Sequence, residues 1–330
     1  MQATVNLAPE IVSVVVPTYH RPDRVRAAVA SILEQDLPPG WELEVVIAVS
    51  DPAAAEDRAA AADLCRDPHV VSVEASSPGP GAARNVAMAK ARGSILAFID
   101  DDCRAAPGWL RHGLEALAGA DLVQGRTEPD GEVPYRYDHS QWIDPPSWLW
   151  ETCNLFVTRA AADRGGAFDE GWNPTGVAGD HWGEDTEWGW RVIRAGARWA
   201  AAPRAVVLHA VEPRTFAAYL RYKSKLRFTP ELLAVAPESR RRYFAGYFIS
   251  RRHASLLASA GLAGVGLLAR RRGAPRVATA LELAALAGYL YPVRWHLGQA
   301  FRQIAERSVI EAVEFGSLAY GSVRARRVLL

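Results

Sequence analysis

An α/β fold is predicted for the front of this 330-residue chain, a parallel sheet with helices on both faces, followed by a helical rear. Three observations carry that expectation. Short apolar runs alternate with helical patterns in the order βαβαβαβ, joined by short connections. The run at residues 94–99 suits a strand buried on both faces, yet it stops at three successive carboxylates, Asp100, Asp101 and Asp102. The charge also divides: from Arg214 onward stand 20 Lys and Arg against 6 Asp and Glu, out of totals of 38 and 37, leaving 18 against 31 in front. The net charge of +1 therefore conceals an acidic front and a basic, apolar rear.

Taken in order, Ile11-Val-Ser-Val-Val-Val16 is an apolar run closed by Pro17, a strand signature. Thr18-Tyr-His-Arg-Pro22 turns into a helix over 23–35, with Val25, Val29 and Ile32 on one face. Pro38-Pro-Gly40 breaks it, and residues 43–49 form a second strand ending at Ser50-Asp51. An alanine-rich helix over 53–64 and a third strand over 70–73 follow. A Pro/Gly turn at 78–81 leads to a helix over 82–91 and then to the strand at 94–99. Such a sheet puts Thr18, Asp51 and the three aspartates beyond the carboxyl ends of its strands, where a ligand crevice is expected.

Several classes are disfavoured. Cys65, Cys103 and Cys153 are far apart, odd in number and without CxxC spacing, which speaks for a reducing cytoplasm and against a disulfide framework or zinc site. The first ten residues show no secretory pattern. Pro17-Thr-Tyr-His20 lacks the glycines of a dinucleotide fingerprint, and Pro78-Gly-Pro-Gly81 lacks the lysine of a P-loop. A phosphatase with an aspartate nucleophile needs a threonine shortly after its Asp-x-Asp, where Cys103 and Arg104 stand. Three adjacent carboxylates repel one another and call for a divalent cation or for Arg and Lys partners; the plainer alternative is a solvated acidic turn.

Seven pieces in order then carry a resemblance: Val14-Val-Val-Pro-Thr-Tyr19, Val49-Ser-Asp51, Gly81-Ala-Ala-Arg-Asn85, Asp100-Asp-Asp102, Gly165-Gly-Ala-Phe-Asp169, Glu184-Asp185 and His209. Over residues 12–209 the chain resembles family 2 glycosyltransferases of the GT-A fold, a Rossmann-like nucleotide-binding sheet flanked by helices. The division implied is a transferase domain over 1–213 and a basic, apolar helical region over 214–330. The resemblance implies that Pro17, Thr18, Tyr19 and Gly81 line the donor pocket, with Asp51 accepting from the base. Arg84 would face the nucleotide or its phosphates, Asp100 would reach the ribose, and Asp101 would belong to the same donor side. Asp102 would ligate Mg2+ or Mn2+, with His209 completing the metal shell or touching a phosphate. One departure is Cys103, where many members carry a further acid. On the residues alone, His209 reads as a core histidine and Arg84-Asn85 equally as a surface pair at a helix start.

Glu184-Asp185 opens a helix, where acids suit the macrodipole without any further role. Trp172, Trp182, Trp188 and Trp190 crowd this stretch, and an aspartate walled by rings has its charged form disfavoured. The resemblance implies that Asp185, with Glu184 beside it, is the catalytic base, and Trp182 and Trp188 are expected on the sugar and acceptor side. The aromatic, proline-rich segment at 134–150 reads as an acceptor-side loop or as a rigid connection.

In the rear, Arg251-Arg-His253 and Arg270-Arg-Arg272 bracket an apolar run at 254–269, and a second runs over 277–293 with Glu282 inside. Each falls short of the ~20 residues of a membrane span. Tyr289, Tyr291 and Trp295 add an aromatic element. Packed helices, a homodimer contact and peripheral contact with the inner face of a membrane all stay open. The expected function is metal-dependent, inverting transfer of a sugar from a nucleotide-diphosphate donor, UDP by default, to an acceptor hydroxyl. The acceptor, whether glycan, lipid-linked or small molecule, is unspecified, and no nucleic-acid partner is expected. The alternatives are a sugar-nucleotide nucleotidyltransferase, which wants a Gly-rich basic loop after the first strand, and a nucleotide-sugar-binding module without catalysis.

Overall fold

A computed structural model describes residues 10–77, 79–133, 137–172, 182–290 and 300–329. Pro78 of the expected turn, residues 134–136 of the aromatic segment, Tyr291 and Trp295 lie outside the described residues, as does the side chain of Tyr289. Two compact units are present, Met1–Phe216 and Ala217–Leu330.

The first unit opens with β1 (Glu10–Thr18), α1 (Pro22–Leu33), β2 (Trp41–Val49), α2 (Ala55–Leu64), β3 (Val70–Glu74), α3 (Pro80–Lys90) and β4 (Ile95–Phe98). β1 runs parallel to β2 and β4, and β2 parallel to β3, as the alternation predicts. Val14, Val15 and Val16 of β1 and Val45, Val46 and Ile47 of β2 are wholly buried, so these strands need apolar residues on both faces. Gly93, just ahead of β4, is dictated by space: a Cβ there would come within 2.6 Å of Ser13 Oγ and 2.7 Å of the Ile11 carbonyl. Its N–H donates to Ser13 Oγ at 2.8 Å, and the Arg92 Nε donates to buried Glu44 at 2.6 Å.

Beyond β4 the sheet becomes mixed rather than parallel. β5 (Cys103–Ala105), α4 (Trp109–Leu117), β6 (Leu122–Pro129), β7 (Leu155–Thr158), α5 (Arg159–Gly165), α6 (Glu184–Arg194) and β8 (Trp199–His209) complete eight strands in the order β3-β2-β1-β4-β7-β6-β8-β5. β7 is antiparallel to β4 and β6, and β5 is antiparallel to β8. A β-bulge between Gly125 and Arg126 shifts the β6–β8 register. Buried Asn154 fills it, donating to the Arg126 and Ala205 carbonyls at 2.7 and 2.9 Å. The β5–β8 pairing is what matters for chemistry, because it sets Cys103 opposite His209 and so brings the end of β8 to the acidic end of β4.

The second unit is helical: α7 (Phe216–Ser224, whose first residue belongs to the front unit), α8 (Thr229–Val235), α9 (Arg251–Arg271), α10 (Pro275–Leu290) and α11 (Ala300–Ala325). The apolar run at 254–269 is the interior of the longer α9. Leu233, Leu318 and Leu329 form a small core there.

Candidate active site

The three aspartates leave β4 in different directions and find different partners. Asp101, 5% exposed, turns back to the end of β1, accepting from Thr18 Oγ1 at 2.9 Å and from the Tyr19 N–H at 3.2 Å. Arg21, just beyond β1, places Nη1 3.2 Å from Asp101 and 2.6 Å from Asp102 Oδ2. Arg24, one turn into α1, stands 3.7 Å from the same Asp102 oxygen and 2.8 Å from Glu212. Burial pushes the Asp101 carboxyl up to about 6; Arg21 opposes that and the neighbouring Asp102 charge adds to it. Burial also works against the Glu212 carboxylate, but Arg21 and Arg24 hold it below its usual range.

The loop that carries Arg21 is fixed by Asp57 of α2, wholly buried, which accepts from the His20 N–H at 2.5 Å and the Arg21 N–H at 3.0 Å. Nothing in the sequence alone marks Arg24, Asp57 or Glu212. Only the arginine in Tyr19-His-Arg21, at the mouth of the expected crevice, gave any signal. Asp51 lies at the end of β2 as expected, with His20 Nε2 at 3.1 Å, and Tyr19 is 51% exposed at the same rim. Pro17 is buried in β1 opposite Ala48 and contributes rigidity to that rim.

Asp102 reaches the other way. His209, 2% exposed at the end of β8, puts Nε2 3.6 Å from Asp102 Oδ1. Its Nδ1 lies 2.7 Å from the Ala210 carbonyl, which can only accept, so Nδ1 carries a hydrogen and Nε2 is the nitrogen left to face Asp102. An imidazole nitrogen facing a carboxylate oxygen, with the other ring nitrogen anchored on a backbone carbonyl, is a donor set for a divalent cation, so the residues present fit one. Cys103 Sγ completes a cluster whose ligand atoms all lie within 4.8 Å of one another. Burial pushes the Cys103 thiol well up, which keeps it protonated and a poor ligand beside Asp102 and His209. The His139 ring stands edge-on to His209 at 5.7 Å, and burial together with the Arg214 charge lowers it to about 4, so it is neutral at neutral pH.

Asp100 faces a third partner. Arg84 in α3, 4% exposed, donates through Nη2 to Asp100 at 2.9 Å and through Nη1 to Glu184 at 2.8 Å. Burial alone would lower its pKa; Asp100, Glu184 and Asp185 override that and raise it. Arg84 is thus a buried bridge between the acidic end of β4 and the start of α6, not a surface residue. Asn85 beside it accepts from the Phe168 N–H at 2.7 Å and donates to the Phe168 carbonyl at 2.9 Å. A Cβ on Gly81 would lie 3.4 Å from Phe168, so Gly81 packs at this junction instead of opening into a pocket. Two motifs read separately in the sequence are therefore one physical unit.

At the start of α6, Glu184 is 7% exposed and its Oε1 accepts from Arg84 Nη1 at 2.8 Å. Asp185 accepts from its neighbour Thr186 N–H at 2.7 Å and from the Thr152 N–H at 3.4 Å. Burial pushes its carboxyl well above the ordinary range, the charges of Glu184 and Glu151 add to that, and Arg84 only partly offsets it. Trp188 corrects the expectation of an acceptor-stacking ring. It is wholly buried, stacked on Phe168 at 4.4 Å with its Nε1 donating to the Gly166 carbonyl at 2.7 Å. Trp190 is likewise core, at 3% exposure. Trp182 stays half-buried at the edge, its carbonyl accepting from Trp172 Nε1 at 3.0 Å. The aromatic segment divides similarly: Trp150 is buried so tightly that a Cβ on Gly189 would come within 2.5 Å of it, while Trp142 is 71% exposed.

The family model for glycosyl transferase family 2 matches residues 13–172. Glycosyltransferase AglE of Haloferax volcanii is 27% identical over 213 residues, which cover 61% of this chain and 67% of that protein. The pre-mycofactocin glycosyltransferase of Mycobacterium tuberculosis is 34% identical over 154 residues, 40% of this chain but 30% of that protein, so the chain matches under a third of that relative's length. Among solved structures, the mannosyltransferase PcManGT from Pyrobaculum calidifontis in complex with GDP-Man and Mn2+ is 19% identical with a TM-score of 0.51. It covers 87% of this chain and 88% of its own, a likeness of GT-A fold.

Proposed function

We propose that this chain, whose residues 13–172 match the family model for glycosyl transferase family 2, is a glycosyltransferase that moves a sugar from a nucleoside-diphosphate donor to an acceptor hydroxyl, with inversion at the anomeric carbon and with a divalent cation. The observation that carries the reading is the Arg84 bridge, which ties Asp100 on the donor side to Glu184, the residue next to Asp185. The base and the leaving-group end are thereby held in one rigid frame, which is what positioning two substrates requires. In this reading Thr18, Tyr19 and Asp51 hold the nucleoside at the rim of β1 and β2. Asp102 and His209 would hold Mg2+ or Mn2+, which when bound would neutralise charge on the leaving diphosphate.

Asp185, desolvated and raised, takes the proton from the acceptor hydroxyl. The hydroxyl oxygen forms its bond to the anomeric carbon as the bond to the nucleoside diphosphate breaks on the opposite face. The electron pair leaves with the diphosphate and the proton stays on Asp185. Glu184 and Arg84 hold Asp185 in place and take no proton.

The test is a thermal-shift screen of UDP, GDP and dTDP with and without Mn2+, followed by mass-spectrometric detection of sugar transfer from the matching donor. Stabilisation by one nucleotide, dependent on metal, is expected. Failure of every nucleotide to shift the protein in the presence of Mn2+ would sink the reading.

A further inference from the structure

Among the described residues α9 is the one helix long and apolar enough to cross a membrane by length and composition, yet only 17% of its apolar window is buried. Leu257, Leu262, Val265, Leu267 and Leu268 are 37 to 55% exposed. At 3.6 residues per turn they spread over an arc of about 220° around the helix. Ser259 and Gly266, on the remaining side, are buried. There α9 meets α10: a Cβ on Gly266 would lie 3.2 Å from the Ala278 carbonyl and 3.2 Å from Glu282. α10 leaves Val277 and Leu283 exposed in turn.

A docking helix or a second copy of the chain covers a stripe nearer 100° wide. An arc over more than half the circumference suits acyl chains, which surround whatever they meet.

Several polar groups of this hairpin already have partners. Ser255 Oγ donates to the Arg252 carbonyl at 2.8 Å and Thr279 Oγ1 to the Pro275 carbonyl at 3.0 Å. Glu282, the acid within α10, is held by Arg270 at 2.7 and 3.3 Å. Arg271, Arg272 and Arg276 are exposed at the turn, and Arg251 is exposed at the opposite end of α9. Both ends are basic, and the uncharged interior at 254–269 is about 24 Å long, short of a hydrocarbon core of about 30 Å. A spanning orientation would bury one basic end. Lying in the headgroup plane sinks the apolar arc and leaves Arg251, Arg271, Arg272 and Arg276 at phosphate level.

We propose that the α9–α10 hairpin lies in the surface of an anionic bilayer and holds the protein there, with a lipid headgroup layer as its partner. This does not rest on the transfer chemistry. It predicts where the acceptor is met, because an enzyme held on a bilayer draws on lipid-linked acceptors in preference to dissolved ones.

Flotation of the full chain with phosphatidylcholine vesicles, with and without phosphatidylglycerol, tests it. Binding is expected only with phosphatidylglycerol, and is expected to fade with salt. The double variant Leu262→Glu, Val265→Glu alters exposed positions; it should keep the helical circular dichroism and the Mn2+-dependent nucleotide shift while losing flotation. Arg271→Gln with Arg272→Gln and Arg276→Gln should weaken binding about tenfold or more. No flotation of the unaltered protein at low salt overturns the proposal. So does undiminished flotation of the double Glu variant, equal binding to neutral vesicles, or a dimer that the Glu variant splits without any effect of lipid.

Discussion

The two acidic stations of the front unit are built on opposite terms. At the end of β4, Asp100, Asp101 and Asp102 are matched by Arg84, Arg21 and Arg24 at 2.6 to 3.7 Å, so the carboxylates are surrounded by fixed positive charge. At the start of α6, Asp185 has backbone N–H groups and further acids around it, while the nearest guanidinium is spent on Glu184 and Asp100. The first arrangement suits holding charge in place, on a cation and a diphosphate. The second leaves a carboxyl whose neutral form is favoured, which is what accepting a proton needs. One buried arginine serves both and keeps them distinct.

The comparison breaks first at Asp102. Asp102→Asn removes the charge opposite His209 Nε2, and transfer should fall by on the order of 10⁴-fold with the fold intact. Turnover unchanged in saturating Mn2+ would mean that no cation works there. Asp185→Asn should cut the transfer rate by roughly 10²–10⁴-fold while leaving the Mn2+-dependent nucleotide shift nearly unchanged. If donor binding fell in parallel, Asp185 would belong to the donor side and the contrast between the stations would collapse.

The same contrast has a pH signature. The Asp185 carboxyl is raised, so it is protonated and unable to act as base below that raised value. The transfer rate should therefore fall on acidification at a pH above the ordinary carboxylate range, with the midpoint read from a pH–rate profile. The residual activity of Asp185→Asn should lack that limb.

Arg84→Met removes the bridge and leaves buried Glu184 and half-buried Asp100 without their cation. Urea denaturation should show a loss of about 3–5 kcal/mol, the usual cost of breaking a buried pair. A loss under about 1 kcal/mol would show that the bridge is replaceable by water. Asp57→Ala is the mildest test: it orphans the His20 and Arg21 N–H groups, costs about 1–3 kcal/mol, and should weaken nucleotide binding through Arg21.

Much of the first station was legible in the sequence because its strands are continuous apolar runs and its acids are consecutive. Strands β1 to β4 needed only periodicity and turn residues to be found. Their partners were not legible. Arg24 and Glu212 are 188 residues apart, and nothing local in either marks the other. β5 is three residues long and gains its identity only from pairing with β8, so the run of 103–133 does not stand out, and nothing local gives the antiparallel direction of β7. The tryptophans failed for a related reason. Sequence gives the size of a ring but not the side of the helix it serves, and Trp188 spends its face on Phe168. Burial around Asp185 follows from the sequence; an exposed face on Trp188 does not.

The Arg84 bridge has a consequence for recombination. Its two carboxylate partners, Asp100 and Glu184, lie on the same side of it in the sequence, 16 and 100 residues away. Any chimera with a crossover between residues 101 and 183 takes Arg84 and Asp100 from one parent and Glu184 and Asp185 from the other. The two halves of this unit are therefore not freely interchangeable modules. They are inherited together unless both parents happen to place the same arginine–glutamate pair across the seam.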